Sequence, residues 1–125
     1  MSAPAATAAA AVIAAFNDAF NAHDLDRLAH LLTEDCTFED TVPPDGTRHE
    51  GRDRVLAAFA ELFAVSPRAR FTSEGAYVVD TTVVALWRYD WGVDGAAGQP
   101  GHVRGVDLFT ISGGRVAAKR SYVKG

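Results

Sequence analysis

The sequence has little that would suggest a disulfide framework or a structural metal site. Its single cysteine, Cys36, cannot form an internal disulfide and has no cysteine or histidine at a zinc-binding spacing. Because free thiols are usual in reducing compartments, we expect a cytoplasmic protein that folds without a metal.

The sequence also lacks the patterns that indicate a nucleic-acid or membrane partner. The formal net charge is −4, and no cluster of lysine and arginine is present to neutralise phosphates. No segment approaches the ~20 uninterrupted apolar residues of a membrane span. No glycine-rich loop precedes a helix in a βα unit, so we expect no nucleotide and no other cofactor.

Three segments in the first half of the chain have the apolar spacing of amphipathic helices. In residues 7–22 the apolar positions recur every three or four residues, and a leucine-rich helix follows Asp24, a suitable N-cap. A third helix is predicted after Gly51 and should end before Pro67, whose ring blocks continuation. A short strand is predicted at 36–40, and 41–50, with its proline, aspartate and glycine residues, is predicted to be a loop.

The second half of the chain predicts four strands. Residues 70–79, 82–91, 102–111 and 115–123 are rich in β-branched and aromatic residues, and a glycine-rich segment separates the middle two. The short connections at 80–81 and 112–114 suit hairpins. We therefore predict one α+β domain over residues 1–125, in which three N-terminal helices cover one face of a curved antiparallel sheet.

Both faces of the strand at 82–91 carry apolar side chains. A sheet that is apolar on its outer side normally buries that side against a partner. We expect a homodimer interface on the outer face, formed by Trp87, Tyr89, Trp91, Val106 and Leu108.

Two long stretches, residues 11–40 and 105–125, resemble the SnoaL-like and ketosteroid-isomerase-like branch of the nuclear transport factor 2-like superfamily. The resemblance implies a cone-shaped fold with a pocket for an apolar small molecule. It specifies the fold better than the activity, because the superfamily includes enzymes and non-enzymes.

The resemblance assigns roles to two aspartates. Asp40 ends a strand before a proline-containing loop, where ketosteroid isomerases carry the aspartate that moves the proton beside the carbonyl. Asp107, two residues before Phe109, matches their second aspartate, which is neutral and donates a hydrogen bond. The family's oxyanion-hole tyrosine falls on Phe16, which has no hydroxyl.

Other residues of the chain resemble the catalytic residues of a second enzyme type in the superfamily. Limonene-epoxide-hydrolase-like enzymes use an Arg-x-Asp pair on a central strand, and Arg88 with Asp90 resembles that pair. Their further aspartate on the last strand falls on Ser121. The hydrolytic set is therefore incomplete in this chain.

The chemistry of the two acids depends on their surroundings. Burial among phenylalanines would raise the pKa of Asp40 and make it a general base, and a protonated Asp107 would donate a hydrogen bond to an enolate. Alternatively, both acids are ion-paired and structural. If Asp107 faces inward, so do Lys119 and Ser121 on the next strand; a Lys119 that pairs with Asp107 would keep it ionised. His49 belongs to the loop over the predicted mouth, where a solvated histidine is more common than a proton carrier.

We therefore predict a cofactor-independent isomerase or polyketide cyclase, with epoxide opening as one alternative and a non-catalytic ligand-binding or dimeric interaction module as another. The predicted catalytic residues are Asp40, Asp107, Arg88 and Asp90. The predicted substrate-binding residues are Phe16, Phe20, Phe38, Phe59, Leu86, Phe109, Lys119 and Ser121.

Overall fold

Helices and strands follow one another as expected for an α+β chain in the computed structural model, which describes residues 3–92 and 100–124. Most of the predicted glycine-rich connection, residues 93–99, lies outside the described residues. In chain order the elements are α1 (Ala3–Asn21), α2 (Leu25–Leu31), β1 (Leu32–Glu39), β2 (Arg48–Glu50), α3 (Arg52–Val65), β3 (Arg70–Val79), β4 (Thr82–Asp90), β5 (His102–Ser112) and β6 (Arg115–Val123).

The three predicted helices are confirmed. Asp24 caps α2, because its side chain accepts a hydrogen bond from the backbone amide of Arg27 at 3.1 Å. The third helix, α3, ends at Val65, two residues before Pro67. The first helix, α1, begins four residues before the predicted start, because its leading residues are mostly alanine, the strongest helix former. None of these helices is long and apolar enough to cross a bilayer.

Six strands form one sheet in the order β2-β1-β6-β5-β4-β3. The last four strands form the predicted antiparallel meander, but β1 runs parallel to β6, so the sheet is not purely antiparallel. The prediction of a loop over the whole of 41–50 is wrong at its end, because Arg48–Glu50 pairs with β1 as the short strand β2. The turn-forming residues before β2 conceal this strand in the sequence.

The sheet curves over the helices, and local irregularities increase this curvature. Register shifts occur within β3, between Ser73 and Gly75, and within β5, between Thr110 and Ile111. At the β5–β6 hairpin, Gly113 and Gly114 have φ angles of 57° and 76°, which the tight turn requires and other residues rarely adopt. The concave face packs on α1 and α3 around Phe16, Phe59 and Phe109, all buried.

The predicted dimer face mixes the two sides of the sheet. Trp87 is buried on the concave face together with Val83 and Ala85, and Tyr89 continues this row. Because side chains alternate along a strand, the convex face of β4 and β5 carries Val84, Leu86, Val106 and Leu108. The assignment of Trp87 and Tyr89 to the outer face is therefore wrong, and Trp91 follows the end of β4.

We propose that the convex face, defined by Val84, Leu86, Val106 and Leu108, joins two copies of the chain. Leu86 and the neighbouring Tyr122 are 37% and 50% exposed, which leaves apolar surface available. A Leu86→Glu substitution should shift dimer to monomer because it places a charge in the apolar contact. Sedimentation velocity measures this shift, with Glu61→Gln on α3 as the control; a monomeric parent protein would contradict the proposal.

Candidate functional site

Two cavities lie between the helices and the concave face of the sheet. The first, here called the apolar cavity, has a volume of about 400 Å³. Its walls are Phe20, Phe38, Asp40, Thr41, Val42, His49, Ala58, Glu61, Leu62, Val65, Phe71, Trp87, Tyr89, Val103, Lys119, Ser121 and Val123. Most of these side chains are apolar, and the polar ones come from β6, from the segment around β2 and, in Glu61, from α3.

The second cavity, here called the α1 groove, lies between α1 and strands β3 and β4 and has a volume of about 460 Å³. Its polar walls include Asn17, Asp18, Asn21, Arg70, Thr72, Ser73, Asp107 and Lys119. The two cavities adjoin, because Phe20, Phe71, Trp87 and Lys119 border both.

Lys119 places an ammonium group at the junction of the two cavities. It lies opposite Phe109 in the β5–β6 pairing and faces inward, as the alternation of side chains predicts. Its Nζ donates a hydrogen bond to Ser121 Oγ at 2.8 Å and lies 3.4 Å from Asp107 Oδ2. The same Nζ lies 4.7 Å from the centre of the Phe38 ring. An ammonium has three N–H donors, so one remains for a ligand after Ser121 and Asp107 are served.

Asp107 is buried beside Lys119, and its side chain is only 7% exposed. Of the two alternatives raised for this residue, the geometry favours the ion pair with Lys119 over a neutral carboxylic acid that donates a hydrogen bond. Asp107 borders the α1 groove but not the apolar cavity. Asp40 and Asp107 therefore border different cavities, whereas Lys119 borders both.

Asp40 lies at the wall of the apolar cavity and is held by its own loop. Its Oδ1 accepts hydrogen bonds from the backbone amides of Thr47 at 2.7 Å and Val42 at 3.1 Å. Burial raises the pKa of Asp40, but the hydrogen bonds from Thr47, the His49 ring and Val42 together outweigh burial and lower the pKa below its ordinary value of 3.8. The expected rise in the pKa of Asp40 is therefore wrong.

His49, which the sequence predicted to be a solvated loop residue, borders the apolar cavity beside Asp40. The strand β2 places its ring against Phe38, with ring centres 5.5 Å apart and planes inclined by 21°. Its Nε2 lies 3.1 Å from Asp40 Oδ2. If Nε2 carries the proton and donates to Asp40, then Nδ1 holds a lone pair that can accept a proton.

The predicted pair Arg88 and Asp90 lies on the convex face, away from both cavities. The guanidinium of Arg88 binds both carboxylate oxygens of Asp90, at 3.0 to 3.1 Å. The hydrogen bond from Arg88 lowers the pKa of Asp90. These two residues bind each other, so their assignment as catalytic residues is not supported by their placement.

The predicted substrate-binding residues divide into four groups. Phe20, Phe38, Lys119 and Ser121 border the apolar cavity, and Phe16 borders the α1 groove. Phe59 and Phe109 are core residues that border neither cavity. Leu86 lies at the edge of the α1 groove, but strand alternation places its side chain on the convex face.

Two wall residues common to both cavities, Phe71 and Trp87, were not predicted. Phe71 is fixed by Asn21 at the end of α1, whose amide forms two hydrogen bonds of 2.8 Å with the backbone of Phe71. Trp87 shares the inner face of β4 with the buried residues Val83 and Ala85. Identification of that face in the sequence would have placed Trp87 at the wall of the cavities.

Comparisons with known proteins agree with this architecture. The model of the family described as SnoaL-like domain matches residues 13–119. A nuclear transport factor 2-like protein of unknown function from Mesorhizobium loti is 36% identical, with a TM-score of 0.80 over 96% of this chain and 93% of that chain. No curated protein matches the chain at a significant level.

Two more distant solved structures support the fold alone. A SnoaL-like protein from Jannaschia sp. CCS1, provisionally described as a polyketide cyclase, is 24% identical, with a TM-score of 0.86 over 99% of this chain and 90% of that one. A protein from Kribbella flavida, provisionally described as a ketosteroid isomerase, is 18% identical, with a TM-score of 0.76 over 96% and 80% of the two chains.

Replacing Asp40 by asparagine should destabilise the protein in a pH-dependent way. Because the pKa of Asp40 is lower in the folded state, its carboxylate contributes stability above pH ~4 that is lost as pH falls through the folded pKa. We expect Asp40→Asn to cost about 1–3 kcal/mol near neutral pH. Urea denaturation at several pH values measures this cost; a cost that grows as the pH is lowered below 4 would contradict the assignment.

Removing the ammonium of Lys119 should leave the carboxylate of Asp107 buried without a counter-charge. We expect Lys119→Met to reduce the free energy of unfolding by about 3–5 kcal/mol. The double variant Lys119→Met with Asp107→Leu should recover most of that loss, because both charges are then absent. If the loss in the double variant equals the sum of the losses in the two single variants, the ion pair contributes nothing to stability.

Proposed function

The chain belongs to the SnoaL-like domain family of the nuclear transport factor 2-like superfamily, and we propose that it is a cofactor-independent enzyme that moves a proton beside a carbonyl group. The substrate is an apolar small molecule, and the reaction is that of a ketosteroid-isomerase-like isomerase or a SnoaL-like polyketide cyclase. One observation carries the proposal. A buried ammonium, Lys119, and a histidine–carboxylate pair, His49 with Asp40, face the same apolar cavity.

Lys119 takes the place of the two hydrogen-bond donors that ketosteroid isomerases carry at the positions of Phe16 and Asp107. The remaining N–H of Lys119 donates a hydrogen bond to the carbonyl oxygen of the substrate. The ammonium thereby stabilises the negative charge that develops on this oxygen. Few water molecules compete for this contact, since the side chain is only 8% exposed. Ser121 and Asp107 hold the ammonium in place.

His49 and Asp40 take the proton. Nδ1 of His49 removes a proton from the carbon next to the carbonyl, and the C–H electron pair forms the enolate. Asp40 accepts a hydrogen bond from Nε2 and stabilises the imidazolium that results. Return of the proton to another carbon completes an isomerisation. In a cyclisation, the enolate carbon attacks a second carbonyl carbon, and the new alkoxide takes the proton from His49.

A non-catalytic ligand-binding module is the second candidate, and one observation favours it. The oxygen Oδ1 of Asp40 is committed to the amides of Val42 and Thr47, as in a purely structural turn. Epoxide opening has no comparable support, because Arg88 and Asp90 lie on the convex face.

Proton transfer can be tested without knowledge of the natural substrate. Deoxybenzoin, an apolar ketone with an acidic methylene group, should exchange these protons for deuterium faster in the presence of the protein. Replacing either proton-carrying residue, by Asp40→Asn or His49→Gln, should slow the catalysed exchange by about 10²-fold or more. Proton NMR in D₂O measures the rate.

The matched control is Asp90→Asn on the convex face, which should keep the parental rate because Asp90 borders neither cavity. Binding of deoxybenzoin without faster exchange would identify a ligand-binding module instead of an enzyme. If the protein neither binds deoxybenzoin nor accelerates its exchange, the proposed function is wrong.

A further inference from the structure

Two buried polar atoms of residues that border the α1 groove have no hydrogen-bond partner among the described residues. These atoms are Oδ1 of Asp107 and Nε1 of Trp87. Asp107 is 5% exposed and Trp87 is 8% exposed, and both border the α1 groove. A third such atom, Oγ1 of Thr33, belongs to a residue that borders neither cavity. Because buried polar atoms are nearly always paired in folded proteins, the first two are expected to bind a polar group from outside the protein.

The sheet register places Trp87 and Asp107 on the same face of two neighbouring strands. Trp87 lies opposite Gly105 in the β4–β5 pairing, and Asp107 is the next residue of β5 on the same face. A side chain at position 105 would collide with the indole of Trp87, so the ring lies against Gly105, two residues before Asp107 on β5. Glycine at this position therefore allows the indole to occupy the floor of the groove.

The chemistry of the two atoms selects a hydroxyl group. Oδ1 of Asp107 needs a donor and Nε1–H of Trp87 needs an acceptor, and a hydroxyl oxygen provides both. An ammonium would serve only Asp107, and a carboxylate would serve only Trp87. The charged residues on the groove walls are balanced, with Asp18 and Asp107 against Arg70 and Lys119, so a neutral group is favoured.

We propose that the substrate is a hydroxy ketone, whose hydroxyl group donates to Asp107 and accepts from Trp87 while its carbonyl oxygen binds Lys119. This inference rests on the proposed function, since it assumes the carbonyl contact with Lys119. The Nζ of Lys119 is 3.4 Å from Oδ2 of the same carboxylate that binds the hydroxyl. The hydroxyl therefore lies on a carbon next to the carbonyl or one carbon further, and the apolar remainder of the substrate fills the apolar cavity.

Three related ketones test the proposal by their affinities for the parent protein. Benzoin carries a hydroxyl next to its carbonyl, deoxybenzoin lacks it, and benzoin methyl ether keeps the oxygen but cannot donate. Benzoin should bind about tenfold or more tightly than either of the others, because only benzoin donates to the Asp107 carboxylate. Isothermal titration calorimetry gives the three dissociation constants.

The variant Trp87→Phe removes the indole N–H and keeps an aromatic ring against Gly105. It should reduce the ratio of benzoin affinity to deoxybenzoin affinity by about threefold or more. In the parent protein, the indole N–H signal of Trp87, assigned by its loss in this variant, should shift more with benzoin than with deoxybenzoin.

The possible failures are distinguishable. Equal affinities for the three ketones would overturn the hydroxy-ketone proposal and leave the proposed function standing. Equal affinities for benzoin and its methyl ether would overturn the Asp107 contact. If none of the three ketones binds, both the proposed function and this inference are contradicted.

Discussion

The ammonium of Lys119, buried among aromatic rings, is the constraint on which the architecture of the site depends. A buried charge is costly unless it is paired and hydrogen-bonded, and here Asp107 provides the counter-charge and Ser121 accepts a hydrogen bond. The phenylalanine faces around Nζ contribute further, since the ring quadrupole attracts a cation. The group is thus held in one position where two cavities meet, as an oxyanion-binding group must be.

This arrangement changes the role of the two aspartates. In the pattern that the sequence resembles, one aspartate moves the proton and a neutral one donates to the substrate oxygen. In this chain Asp107 pairs with Lys119, and in the proposed function Lys119 takes over the contact with the substrate oxygen. Asp40 has a lowered pKa because loop amides and His49 bind its carboxylate, so it is better suited to orient His49 than to accept a proton itself.

Periodicity in the sequence was sufficient to predict the helices and the last four strands, because apolar spacing and turn residues carry local information. It did not reveal β2 or the parallel pairing of β1 with β6, which depend on contacts between distant segments. The inward position of Lys119 followed from strand alternation. In contrast, Trp87 and Tyr89 were placed on the wrong face, because β4 is apolar on both faces and alternation alone cannot tell inside from outside. The contact of His49 with Asp40 depends on the pairing of β2 with β1, which has no signature in a single sequence.

A crystal structure of the protein with deoxybenzoin bound would test the central claim most directly. We predict that the ketone oxygen lies within hydrogen-bond distance, about 2.7–3.2 Å, of Lys119 Nζ, with the phenyl rings in the apolar cavity. A ketone oxygen directed at the cavity mouth, with Lys119 in contact only with Ser121, Asp107 and the aromatic rings, would contradict the account.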